Sequence, residues 1–221
     1  MLPLRSLARD ELASPEHYNH AAGRSASRIA GLGDGVFSIA MTLLVLELHA
    51  PAVAAIHSNL ALGQALLEIA PKLAAWGMIF LTLGIFWVAQ VTQTDALAHS
   101  NRDQTWIHLG FLAAVSMVPF STVLLGEFWH YHVAMVVYWF NIAMLGLVLW
   151  LAWSHAERQK LLVDGWNATL MAAVRRRILG SQSFYLAAML VSILGAGYGL
   201  AIMLVVQLNY AAAPRIGRRL G

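Results

Sequence analysis

Two polar side chains interrupt the first long apolar run of this chain, RIAGLGDGVFSIAMTLLVLEL, Arg28 to Leu48: a carboxylate at Asp34 and a hydroxyl at Thr42. A carboxylate at the edge of a hydrocarbon layer is costly unless a donor meets it. The hydroxyl has two possible uses. It can bond back to a carbonyl one turn earlier, a common habit of threonine in membrane helices, or it can offer oxygen to something polar that passes the helix. On an α-helix, Ile39, Leu43 and Leu46 form a stripe about 60° wide, with Thr42 and Gly35 on its edge and Asp34 about 140° from Ile39. The stripe is therefore either bundle core or lipid-facing surface, or, if copies of the helix surround an axis, a stack of branched apolar rings with one hydroxyl ring. The latter is a constriction of the kind that passes or dewets a file of ions.

The composition says where such a helix lives. Of 221 residues, 59% are hydrophobic and 11% are charged, against about 25% charged in a soluble domain. The chain is an integral membrane protein built of helices, because its apolar runs are continuous rather than alternating. Residues 1–27 lack an apolar core and read as a cytoplasmic N-terminal segment, not a cleaved signal. Cysteine is absent, which removes disulfides, thiolate metal sites and cysteine nucleophiles. The net charge of +3 reflects arginines on the inner face of a membrane rather than a nucleic-acid partner.

Apolar runs predict spans at about 33–49, 65–91, 105–125 and 133–153, followed by a longer stretch, 182–213, interrupted by GAGYG at Gly195 to Gly199. Lysine and arginine decide the count. Thirteen of the fourteen lie on the side of the N-terminus only if the C-terminus is cytoplasmic too, which requires an even number of crossings. The last stretch is thus read as a hairpin of two short spans, 182–194 and 199–213, giving six in an all-α polytopic bundle with a single membrane domain, 28–213. A basic tail, 214–221, follows. Between the fourth and fifth spans, Leu162, Trp166, Leu170, Val174 and Ile178 recur every four residues beside Arg175 to Arg177. This pattern suits an amphipathic cytoplasmic loop over 158–178, or equally a cytoplasmic extension of the fifth span.

Other motifs carry less. GAGYG resembles a carbonyl-lined selectivity filter superficially, but no pore helix precedes it and too little apolar chain follows for an inner helix, so a helix break is preferred. Glu127, His130 and His132 in GEFWHYH could ligate a metal, yet an interfacial aromatic belt explains the segment better, and no metal site is expected. Glu47 and His49 flank the stripe at its outer end and could raise local cation concentration. No catalytic constellation or phosphate-cradling loop is present, so no enzyme activity and no cofactor are expected.

The run from Arg28 through LGDGVFSIAMTLLVLEL resembles the first-span signature of the transmembrane protein 175 family of lysosomal and prokaryotic potassium channels. FWVAQV at Phe86 to Val91 is similar to that family's Trp-x-x-His-His segment, and Asp103 through PFSTVLLGEF, ending at Phe128, is similar to its third span and following turn. The resemblance implies that Ile39, Leu43 and Leu46 narrow a pore, that Thr42 supplies its polar layer, and that four six-span subunits assemble around it as a homotetramer. Potassium would be the permeant ion and the bilayer the other partner. Arg28, Asp34 and Trp87 match the family's polar set that braces the first helix. Leu32 and Gly33 replace its Phe-Ser, Gln90 and Val91 its His-His pair, and His108 stands at an Asn position, so that network is thinned or rewired, and His108, Gln90 or Trp87 is the donor expected for Asp34. Two rivals remain: a secondary transporter, disfavoured because no charge sits mid-membrane in the broken hairpin, and a non-conducting structural or regulatory subunit.

Overall fold

The structure, a computed structural model, describes residues 25–52, 56–128, 130–166 and 168–195 and, in part, 198–208. The expected N-terminal segment, up to residue 24, the end of the expected last span, 209–213, and the basic tail lie outside the described residues. The fold is all-helical. Among the described residues the main helices, in order, are α1 Ala26–Leu43, α2 Asn59–Asp95, α3 Arg102–Ser116, α4 Val118–Glu127, α5 His132–Arg158 and α6 Ala168–Ser192. A 3₁₀ turn, Leu44–Glu47, continues α1. Among the described residues, the α3–α4 stretch Arg102–Glu127 and α5 are long and apolar enough to cross a membrane.

Local chemistry sets the boundaries. The Ser58 hydroxyl accepts from the Ala61 amide at 3.1 Å and caps α2, while Asn101 accepts from the Gln104 amide at 2.8 Å and caps α3; both satisfy amides that a helix start leaves unpaired. The 37 residues of α2 extend about 55 Å, well beyond a hydrocarbon core of about 30 Å. The run expected as one span over 105–125 is two helices meeting at Met117. Pro119 lies in the first turn of α4, where its missing N–H and fixed φ are tolerated, whereas inside a continuous helix they would break the ladder.

The two readings of 158–178 differ in whether the segment joins the next helix. Residues 168–178 are the first turns of α6, which runs unbroken to Ser192, the arrangement of a helix extended beyond 182. Ile178, Tyr185, Ala188 and Ser192 are its buried residues, spaced so that they share one face. Trp166, just ahead of α6, meets Trp153 of α5 edge-on with ring centroids 5.2 Å apart. Beyond α6 the chain turns: the Gly195 amide donates to Ser192 O and the Tyr198 amide to Gly195 O. Residues described within 198–208 are helical, and Gln207 Nε2 donates to Thr82 Oγ1 of α2 at 2.6 Å, in the interior.

Helix α5 is the hub of the bundle, with Tyr138, Ile142, Leu145 and Trp153 buried along its length. It packs against α3, α4 and α6, while α1 packs against α2 and α3. At one end the α2–α3 and α5–α6 connections are tied by a short antiparallel bridge, Leu97 to Leu162, with Ala98 N donating to Leu161 O and Val163 N to Ala96 O.

Candidate functional site

Helix α1 has two distinct sides. Ile29, Gly33, Phe37 and Ala40 are its buried residues, and at helical spacing they occupy an arc about 80° wide. Phe37 is 1% exposed and its ring lies 6.0 Å from that of Phe111 on α3. About 110° around the helix from that arc, Ile39, Leu43 and Leu46 are 60%, 47% and 68% exposed. A branched apolar stripe open on a single chain is what a lipid-facing surface or a shared axis would require, and it excludes the reading of these residues as bundle core.

The 3₁₀ turn refines the stripe. A uniform α-helix would offset Leu46 from Leu43 by about 60°, whereas in a 3₁₀ helix i and i+3 eclipse, so Leu46 stands over Leu43. Thr42 Oγ1 donates to Ser38 O at 2.9 Å and Ile39 O at 3.0 Å. Its hydrogen is thus committed to the backbone, which leaves oxygen lone pairs for a donor or cation. Leu32, seven residues before Ile39, shares the exposed stripe. Sequence reasoning registered it only as a departure from a motif, although the spacing that found Ile39 and Leu43 also reaches it.

The expected anchoring residues separate into three groups. Trp87 Nε1 of α2 donates to Asp34 Oδ1 at 2.8 Å, and both residues are exposed on the chain rather than sunk in its core. The reason is angular: Asp34 lies about 100° from the middle of the buried arc, on the flank opposite the stripe. Gln90 is buried and lies across Gly33, where a Cβ would come within 2.8 Å of Gln90 Oε1. His108 is buried and pairs with Gln104, one turn earlier on α3, at 3.1 Å. Among the described residues, neither Gln90 nor His108 hydrogen-bonds to Asp34, whose donor is Trp87. Arg28 is exposed, makes no side-chain hydrogen bond or ion pair among the described residues, and falls on the stripe side of α1, about 120° from Asp34. Gly33 as a seat for Gln90, and Gln104 as partner of His108, are roles that depend on which helices touch and have no signature in the chain alone.

Elsewhere, Glu127, His130 and His132 are all exposed around the α4–α5 turn. The side chain of Glu47 lies outside the described residues.

Comparison with known proteins bears on the same helices. The profile of the family described as Endosomal/lysosomal potassium channel TMEM175 matches residues 28–119, which take in α1 from Arg28 onward and the whole of α2 and α3. A potassium channel of Streptomyces collinus is 32% identical over 141 residues, covering 62% of this chain and 67% of that protein. A potassium channel of Chamaesiphon minutus is 27% identical over 188 residues, 83% of this chain and 92% of the relative. The crystal structure of a lysosomal potassium-selective channel TMEM175 homolog from Chamaesiphon minutus superposes with a TM-score of 0.71 at 25% identity, over 86% of this chain and 98% of that one. With profile, sequence and fold in agreement across the helices that carry the stripe, this chain belongs to the TMEM175 family.

Proposed function

We propose that this protein is a potassium-preferring cation channel of the cell membrane in which four copies of α1 surround the conduction path. The observation that carries the reading is the sidedness of α1: Phe37 and Gly33 lock one side into the bundle, while Ile39, Leu43 and Leu46 on another are left open. Four such stripes about an axis form stacked apolar rings, and a narrow apolar passage controls conduction by whether it is wet. Thr42, its hydrogen held by backbone carbonyls, supplies a ring of oxygen lone pairs that partly replaces hydration water of the ion. Asp34 and Trp87 hold the flank of α1 to α2, and Arg28 stands at the inner end of the stripe. The subunit crosses the membrane six times with both termini cytoplasmic, the last two crossings being the C-terminal part of α6 and the helical residues that follow the turn at Gly195. The channel names of the relatives from Streptomyces collinus and Chamaesiphon minutus support the same activity.

Purified protein in liposomes under a potassium gradient provides the test. Wild type conducts, Leu43→Ala raises flux by widening the apolar ring, and Thr42→Val changes the potassium-to-sodium ratio. Flux unaffected by either change rejects the pore assignment. No flux in wild type under varied pH and voltage favours a structural subunit, and saturating, proton-coupled flux a transporter.

A further inference from the structure

Away from α1, the helices α2, α5 and α6 enclose a cavity of about 230 Å³. One wall is a single face of α6, where Val174, Arg177, Ile178, Ser181, Gln182 and Tyr185 recur at helical spacing. The cavity is graded. Arg177 lies toward the start of α6, Gln182 is more than one turn deeper, and Ile85, Phe86 and Ala89 of α2 make its far wall apolar.

Two observations say what fits. The lining holds an arginine and no aspartate or glutamate. Within the wall, Gln182 Nε2 is a buried donor with no hydrogen-bond partner among the described residues, and Gln93, 3% exposed, spends its Nε2 on Leu149 O but leaves its Oε1 unpaired. Unpaired buried amide atoms are expensive beside hydrocarbon. A plain acyl chain would leave them unpaired.

We propose that this cavity is a binding site for an anionic phospholipid, with its phosphate at Arg177 and one acyl chain laid along Ile85, Phe86 and Ala89. The ester region lies between these two parts of a lipid, at the level of Gln182 and Gln93. An ester carbonyl accepts from Gln182 Nε2, and the interfacial water that accompanies esters donates to Gln93 Oε1. The stem of Arg177 lies along the apolar wall while its guanidinium reaches the headgroup layer. Gly146 of α5 belongs to the same design, since a Cβ there would come within 2.6 Å of Gln182 Cγ and displace the side chain that would read the ester. The site is independent of where ions pass.

The test uses the full chain purified in detergent, with native mass spectrometry counting retained phosphatidylglycerol against phosphatidylcholine of identical acyl chains. One arginine facing an anionic headgroup predicts a preference for phosphatidylglycerol of about fivefold. Arg177→Gln, a substitution at an exposed position that preserves the stem, brings the ratio to near one. Ala173→Leu, which adds bulk to the lining, lowers retention of both lipids while circular dichroism stays unchanged. The proposal is overturned by a wild type without preference, by a preference that survives Arg177→Gln, or by inorganic phosphate displacing the lipid as well as phosphatidylglycerol does.

Discussion

Two glycines carry a glutamine across them, and their surroundings differ. Gly33 on α1 lies under Gln90 of α2, and Gly146 on α5 lies under Gln182 of α6; in both, a Cβ would collide with the amide. Gln90 is 2% exposed and belongs to the packed interior. Gln182 borders a cavity and has room to turn aside. The first contact sets how closely α1 approaches α2, and so which side of α1 is left open. The second leaves a space whose polarity is graded along α6. Similar local chemistry serves rigidity in one place and accommodation in the other, and the difference lies in what stands behind the glutamine.

The largest effect expected on the rigid side comes from Phe37→Ala, which empties the contact with Phe111 and costs about 3–5 kcal/mol, the range for a fully buried phenylalanine. Denaturant unfolding in detergent micelles measures it. Gly33→Ala follows at about 1–3 kcal/mol, an overpacking cost in a closed interior. Combining it with Gln90→Ala should return coupling of about 1 kcal/mol or more, since the two side chains touch. Trp87→Phe removes the donor to Asp34 on an exposed flank and should cost about 0.5–1 kcal/mol, discounted for solvent screening. Gly146→Ala should fall within about 1 kcal/mol of wild type, because alanine's gain in helix propensity offsets the displacement of a side chain that can move. Equal costs for Gly33→Ala and Gly146→Ala would break the comparison. Smallest of all, Ile39→Ala should leave stability within about 0.5 kcal/mol in a single chain, although the same residue is placed on the ion path.

What could be read from the chain follows from how local the cause is. The stripe of Ile39, Leu43 and Leu46 and its separation from Asp34 are consequences of helical spacing, whereas α2 and α3 begin ahead of the runs expected from 65 and 105 because the caps Ser58 and Asn101, not hydropathy, set where a helix starts. The break at Met117 has a local marker in Pro119, but hydropathy integrates across a kink and shows 105–125 as one run. The change to 3₁₀ geometry after Leu43 has no comparable marker in LVLE. The continuity of α6 was one of two readings, because three arginines suit a headgroup-lying loop as well as a helix extension, and Val174, Ile178 and Tyr185 keeping one face across them is what favours the helix. Least legible were the contacts between helices. That Gln90 would lie on Gly33, or that Gln104 would take His108, depends on helix packing, so which of the three candidate donors reaches Asp34, namely Trp87, could not be chosen from the chain alone. The matching of a small residue to a large one in both glycine contacts is visible only once the helices are side by side.

The central claim, that the open stripe of α1 is the ion path, is most directly tested by introducing single cysteines, because the natural chain has none. Ile39→Cys, Leu43→Cys and Leu46→Cys are each reconstituted in liposomes, and potassium flux is measured before and after a water-soluble, positively charged thiol reagent. Leu186→Cys, on an exposed position of α6, serves as the comparison. The account predicts that modification blocks flux at the three stripe positions and leaves it unchanged at Leu186→Cys. Unaltered flux in all three stripe variants, with modification verified by mass, would contradict it.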